Sequence, residues 1–372
     1  MIMLAIAAAW SCGVLAAPPT LPQVSGQAWV LVDHDSGMVL VEHAADVALA
    51  PASLTKLMSA YLVFEKLTTG DLDIEQPIKV SARAARTNGS RLGLAAGDQI
   101  NLDALLKAMV VRSANDAAVA IAEQLAGDEA SFVAAMNAKA AKLGLTVTKF
   151  ANATGLDHAT QRSSARDMTR LASRLIRDFP DQYEKYFGLR EFDYGSARHY
   201  NRNLLLRRDD TVDGVKTGRT EAAGYCLIAS ARRTGMRLIA TVMGAGTEDA
   251  RVQGAERLLA YGFANYETRR ILQGEAPATR LRVWLGTEDH LALGVANDLY
   301  VTLPQGSFDR LRTHWTMNQD VFAPIEAGQA LGRVALDFEG RTLAERPLVA
   351  LADLARGNIF QRALDRVQLW LR

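Results

Sequence analysis

Three short apolar runs, Val212 to Lys216, Tyr225 to Ser230 and Arg237 to Met243, are separated by Gly-containing turns and read as adjacent antiparallel strands. Such a ribbon needs partners on its faces. Near the N-terminus, Ala28-Trp29-Val30-Leu31-Val32 reads as a strand, Asp33 to Gly37 as a turn, and Met38 to Glu42 as the returning strand of a hairpin. Between hairpin and ribbon, Leu102 to Val111, Ala114 to Leu125 and Ala130 to Leu143 carry apolar residues at helical spacing. A further helix is expected from Asp249 to Tyr266. Strands, then helices, then strands, then a helix predict an α+β fold: one antiparallel sheet joined by the N-terminal hairpin, with helices packed on its faces.

A chain of 372 residues is long enough for a second, smaller domain. Beyond residue 275 the pattern changes to short alternating runs such as Leu281-Arg282-Val283-Trp284-Leu285 and Leu299-Tyr300-Val301-Thr302-Leu303, with Gly, Pro, Asn and Asp between them. These predict a small β-sandwich over 275–351, after a larger domain over 22–274. Residues 356–372 form an amphipathic segment, with Ala363, Leu364, Val367, Trp370 and Leu371 on one face and Gln361, Arg362, Asp365, Arg366 and Gln368 on the other. It is too short and too charged to span a membrane. It could lie on a membrane surface, Trp370 at headgroup level, or dock on its own β-domain. Residues 1–17, apolar and ending in small residues before Pro18-Pro19, read as a secretory signal, although no Lys or Arg precedes them.

Charge and cysteine content remove several function classes. A formal net charge of +1 gives no ground for nucleic acid as a partner. Of two cysteines, Cys12 falls in the leader, so the mature chain keeps Cys226 alone, which reads as a small core residue of a strand. His34, His43, His158, His199, His290 and His314 lie far apart without ligand spacing, so neither a metal nor another cofactor is expected.

Three short elements carry chemistry. In Ser53-Leu54-Thr55-Lys56, placed after Pro51 at a helix start, residues three apart share a helix face, so a hydroxyl and an amine can meet. A hydroxyl becomes a good nucleophile when a base takes its proton, and lysine serves where its surroundings lower its pKa. Ser113-Ala114-Asn115 falls at a break between helical stretches, where a hydroxyl and an amide can face a cleft or simply cap a helix. Lys216-Thr217-Gly218 ends a strand, offering a cation and a hydroxyl to a carboxylate, with Gly218 leaving room for a substrate backbone.

In this order, Ser-x-x-Lys, Ser-x-Asn and Lys-Thr-Gly are the signature of penicillin-binding proteins and class A β-lactamases. The chain resembles in particular the D-alanyl-D-alanine carboxypeptidases of low molecular mass. The likeness extends to Asn152-Ala153-Thr154-Gly155-Leu156-Asp157 and Gly357-Asn358-Ile359-Phe360. It implies a β-lactamase/transpeptidase-like domain, a β-sandwich and a C-terminal membrane-surface anchor, with the enzyme on the periplasmic face of the inner membrane. It also implies that Ser53 attacks a peptidoglycan stem peptide ending in D-alanyl-D-alanine, forming an acyl-enzyme, and that β-lactams acylate the same residue. Lys56 would activate Ser53, Ser113 would protonate the leaving amine, Asn115 would hold the peptide, and Lys216 with Thr217 would bind the terminal carboxylate. The N–H groups of Ser53 and Arg219 would form the oxyanion hole. Many relatives carry His after Lys-Thr-Gly; the Arg219 found here is expected to add charge beside the carboxylate subsite.

Three other readings share part of this evidence. The same motifs serve D,D-endopeptidases. A class A β-lactamase would need a Glu-x-x-x-Asn element, and neither Glu184 nor Glu191 has that asparagine. A non-catalytic peptidoglycan-binding protein would be marked by loss of Ser53, Lys56 or Lys216, all of which are present.

Overall fold

The computed structural model describes residues 20–371; the leader and Cys12 lie outside that range. The expected ribbon is one side of a five-stranded antiparallel sheet. Its strands run Val39–His43, Ala28–Asp33, Met236–Ala245, Gly224–Arg233 and Val212–Thr220 in spatial order. The N-terminal hairpin thus pairs with the last ribbon strand, residue 28 opposite residue 243.

Side chains alternate across the strands, and both faces are buried. Ala28, Val30, Cys226, Ile228, Ile239 and Met243 point into one core. Trp29, Leu31, Leu227, Ala229, Leu238 and Val242 point into the other. The helix Glu248–Asn265, capped by Thr247, covers the second face. The first face carries the helical body, including Lys56–Thr68, Asn115–Ala126 and Ala165–Asp178. Every residue from Lys56 to Phe64 is buried. A helix enclosed on all sides has its position fixed by its neighbours. Cys226 lies within this core, as expected, and burial pushes its thiol up to about 11.

The β-rich part starts earlier than residue 275. The strand Tyr266–Leu272 pairs with Leu299–Pro304, so the chain enters the second domain directly from the end of the helix at Asn265. Charged residues dominate Tyr-Glu-Thr-Arg-Arg, and this hid the strand from a search for alternating apolar runs. The two-stranded sheet shares a core with a six-stranded sheet through Val301, Leu303, Val283, Leu293, Val334 and Leu336. Where the domains meet, the buried carboxylate of Asp33 accepts hydrogen bonds from Ser36 N (2.8 Å), Ser36 Oγ (2.7 Å) and Thr268 Oγ1 (2.8 Å).

The terminal helix, Ile359–Trp370, starts in a capping box between Asn358 and Gln361. It docks on the β-domain, but through its polar face. Asp365 is buried and accepts from Arg282 Nη2 (2.9 Å) and Leu285 N (2.6 Å), while Gln361 donates to the Thr287 carbonyl. The apolar face looks outward: Phe360 is 83% and Trp370 84% exposed, with Ile359, Leu364 and Val367 beside them. Among the described residues no helix is long and apolar enough to cross a membrane.

Candidate active site

Pro51 and Ala52, the latter at φ 46°, lead the chain into a short 3-10 turn, Ala52–Thr55, which passes straight into the buried helix at Lys56. Ser53 and Lys56 therefore sit one turn apart at the helix entrance. Lys56 is 1% exposed. Its Nζ donates to Asn115 Oδ1 (2.7 Å) and to the Thr154 carbonyl, and lies 3.0 Å from Ser53 Oγ. Burial above all, then the charge of Arg202, lowers its pKa to about 7, with Asp116 opposing.

Ser113 ends the π-helical turn Ala108–Arg112 in the left-handed conformation, φ 62°, before the helix Asn115–Ala126 begins. This break turns both side chains inward: Asn115 towards Lys56, and Ser113 towards Lys216, whose Nζ lies 3.0 Å from Ser113 Oγ. The Lys216 amine also donates to the Thr217 carbonyl (3.0 Å). Its pKa is pushed well below the usual lysine value by burial, and further by Lys56, Arg202 and Arg251. The next residue, Asp116, is fully buried and accepts from the amides of Leu92, Gly93 and Leu94. Asn115 adds bonds to the carbonyls of Ser90 and Asn88 (2.7 and 2.6 Å). One side of the cleft is thus pinned by the segment that supplies Ser113.

Lys216-Thr217-Gly218 lies inside its strand, which continues to Thr220, with Gly218 opposite Cys226. The room at Gly218 faces protein, not substrate. A Cβ there would come within 3.0 Å of Ala52 Cβ, 3.1 Å of the Pro51 carbonyl and 3.2 Å of Ser53 N. The missing side chain lets the strand lie against the serine turn. Gly155 does the same from another side, at φ 85°, where a Cβ would be 1.9 Å from the Ala52 carbonyl. Asn152 shapes that turn, its Oδ1 accepting from Thr154 N, Thr154 Oγ1 and Gly155 N.

Ser53, Ser113, Asn115, Thr217, Gly218 and Arg219 line one cleft of about 750 Å³, with Lys56 and Lys216 buried behind the serines. All the residues expected at the site are therefore brought together. Arg219 is exposed at the rim and stacks over Tyr225 (5.1 Å), which also meets the guanidinium of Arg251 (5.4 Å). Sequence reasoning missed Thr154, Gly155, Ser90, Arg202 and Arg251, which also line the cleft. Arg251 donates to the Gly218 carbonyl (3.1 Å) and pairs with Glu248, and Arg202 reaches Ser90 Oγ (3.0 Å). Lone arginines on a helix or loop carry no local signal, whereas Thr154 and Gly155 fall in a stretch that resembles the family. Gly218→Ala should slow labelling by penicillin on the order of 100-fold, because it displaces the serine turn. Mass spectrometry against time, with circular dichroism showing the fold kept, reads this effect.

Comparison with known proteins agrees with the geometry. Residues 15–247 match the family described as D-alanyl-D-alanine carboxypeptidase, and residues 266–356 match the C-terminal domain of penicillin-binding protein 5. The chain is 38% identical over 356 residues to a D-alanyl-D-alanine carboxypeptidase of Escherichia coli, covering 94% of this chain and 89% of the other. It is 35% identical over 335 residues to one of Bacillus subtilis, covering 88% and 86%. Penicillin-binding protein 5 of Haemophilus influenzae superimposes with a TM-score of 0.85 at 34% identity, over 91% of this chain and 100% of the other. The ampicillin-bound penicillin-binding protein D2 of Listeria monocytogenes gives 0.61 at 33% identity, over 66% and 100%. With matches of this extent in both domains, the chain belongs to the D-alanyl-D-alanine carboxypeptidase family of serine peptidases.

Proposed function

We propose that the chain removes the terminal D-alanine of peptidoglycan stem peptides through an acyl-enzyme on Ser53. One observation carries this reading. A neutral lysine amine has two N–H donors and one lone pair. At Lys56 both donors have acceptors, Asn115 Oδ1 and the Thr154 carbonyl, so the lone pair is left for the Ser53 hydroxyl. A pKa of about 7 makes that neutral form abundant at ordinary pH.

The Ser53 proton passes to Lys56 as Oγ bonds to the carbonyl carbon of the penultimate D-alanine. The oxyanion meets the N–H groups of Ser53 and Arg219, each worth on the order of 3 kcal/mol. Collapse breaks the C–N bond, and Ser113 gives the leaving amine its proton, which the Lys216 ammonium 3.0 Å away replaces. When the ester is hydrolysed, Lys56 returns its proton to Ser53, and Lys216 takes one from the attacking water. Lys216 and Thr217 hold the terminal carboxylate, whose charge compensates the buried cations. Water then hydrolyses the ester. A β-lactam has the same carbonyl and carboxylate, but its amine stays tethered, so the ester persists. The only carboxylate lining the cleft among the described residues is Glu248, and Arg251 occupies it. This favours slow deacylation and a penicillin-sensitive peptidase over a β-lactamase.

The outward apolar face of Ile359–Trp370 supports attachment to a membrane surface. With a secretory leader and a cell-wall substrate, the periplasmic face of the inner membrane is the site of action.

Brief incubation with penicillin G should add one penicillin to the wild type and none to Ser53→Ala, as read by mass spectrometry. Rapid turnover without an adduct would point to a β-lactamase, and no reaction to a binding protein. Acylation should depend on pH with one sign. The rate should climb about tenfold per pH unit below 6 and level off above about 8, as Lys56 loses its proton. Stopped-flow acylation by a chromogenic β-lactam checks this. Phe360→Ser with Trp370→Ser should weaken binding to anionic phospholipid vesicles roughly 100-fold in co-sedimentation, without changing penicillin labelling in solution.

A further inference from the structure

Glu129 is a buried carboxylate that none of the steps above uses. It opens the helix Glu129–Lys142, whose entrance is already capped by Asp128, which accepts from Ser131 N (2.7 Å). A glutamate at such a position ordinarily faces water, where the helix dipole favours it. This one turns inward and is 8% exposed. Its Oε2 accepts from the guanidinium of Arg83, and its Oε1 accepts from the backbone N–H of Ala153 at 2.9 Å. Ala153 is fully buried, so Glu129 supplies the acceptor that this N–H requires.

One residue further along, the Thr154 carbonyl accepts from Lys56 Nζ. Two other bonds bear on this strip of backbone: Ser59 Oγ donates to the Ala153 carbonyl (3.3 Å), and Asn152 Oδ1 accepts from Thr154 N (3.2 Å). Both are longer and join neutral groups. The bond to Glu129 is the short and charge-assisted one, which is the stronger class. A cavity of about 360 Å³, lined by Arg83, Asn88, Glu129, Asn152 and Thr154, borders the loop, so on that side hydrogen bonds rather than packing hold it. Arg83 also leads to the other acceptor of Lys56. Its carbonyl accepts from Thr87 Oγ1 (3.1 Å), and the next residue, Asn88, accepts from Asn115 Nδ2 through its carbonyl (2.6 Å).

We propose that Glu129 is a positioning residue for acylation: by holding the Ala153 amide it fixes the Thr154 carbonyl on Lys56, and so aims the lysine lone pair at Ser53. The inference rests on the reading of Lys56 as the base. An amine that loses one acceptor turns more freely, and its lone pair faces the Ser53 hydroxyl for less of the time. The contacts of Lys216 and Thr217 with a ligand carboxylate do not pass through this loop. Disturbing Glu129 should therefore slow bond formation and spare binding.

Two variants separate the reach of Glu129 from its charge. Glu129→Gln keeps an oxygen within reach of the Ala153 N–H and gives up the charge. Glu129→Asp keeps the charge and withdraws it by one methylene. Stopped-flow acylation by a chromogenic β-lactam over a range of concentrations gives the limiting rate constant and the dissociation constant of the non-covalent complex. Glu129→Gln should acylate within about threefold of wild type, and Glu129→Asp about tenfold more slowly than wild type at an unchanged dissociation constant. The inference is overturned if Glu129→Asp matches wild type, if Glu129→Gln is as slow as Glu129→Asp, or if the loss lies in the dissociation constant. It is also overturned if only the fraction of protein labelled falls while the rate is kept, the mark of a purely structural role. Absence of acylation in the wild type would instead overturn the reading of Ser53 and Lys56 itself.

Discussion

A primary amine taken out of water without a carboxylate beside it is the constraint around which this molecule is arranged. Lys56 sits at the head of a helix enclosed on every side, and its contacts come from three segments: the serine turn, the Ser113–Asp116 break, and the Thr154 loop. Desolvation disfavours the charged form, so the same burial that costs stability leaves the amine a lone pair, the property that the proposed base requires. A lysine in its ordinary exposed state would hold three protons and have no lone pair to offer.

Keeping that amine dry and aimed demands close packing between backbones. Gly155 and Gly218 supply it, one from each side of the serine turn. Asp116 performs the matching task for the cleft wall, gathering three successive amides onto one buried carboxylate. Neither glycine nor Asp116 needs to touch a substrate for the site to depend on it.

Two further carboxylates join the accessory parts to the catalytic domain and to one another. Asp33, in the turn of the N-terminal hairpin, ties the sheet to the first strand of the β-domain. Asp365 ties the terminal helix to that domain by its polar face. The helix can therefore expose a continuous apolar surface while remaining fixed on the β-domain.

Local order was readable in the sequence because periodicity is a local property. The apolar runs at 28–32, 212–216, 225–230 and 237–243 marked strands of the central sheet, and the Ser53, Ser113 and Lys216 elements marked side chains that meet at one cleft. The strand Tyr266–Leu272 was lost because its charged side chains interrupt the alternation, and its true partner lies almost thirty residues on. Which face of Ile359–Trp370 turns inward was equally out of reach, since an amphipathic pattern states that two faces exist and not which one is covered. The arginines of the cleft come from loops, a π-helical turn, a strand and a helix spread over some 160 residues, and only folding gives them a common field. By itself, then, the sequence determined which groups are present and which elements carry them, through spacing along the chain. The tertiary structure alone decided the burial of Lys56, the carbonyl of Thr154 that completes its bonding, and the charge of the cleft, because each depends on atoms that meet only in three dimensions.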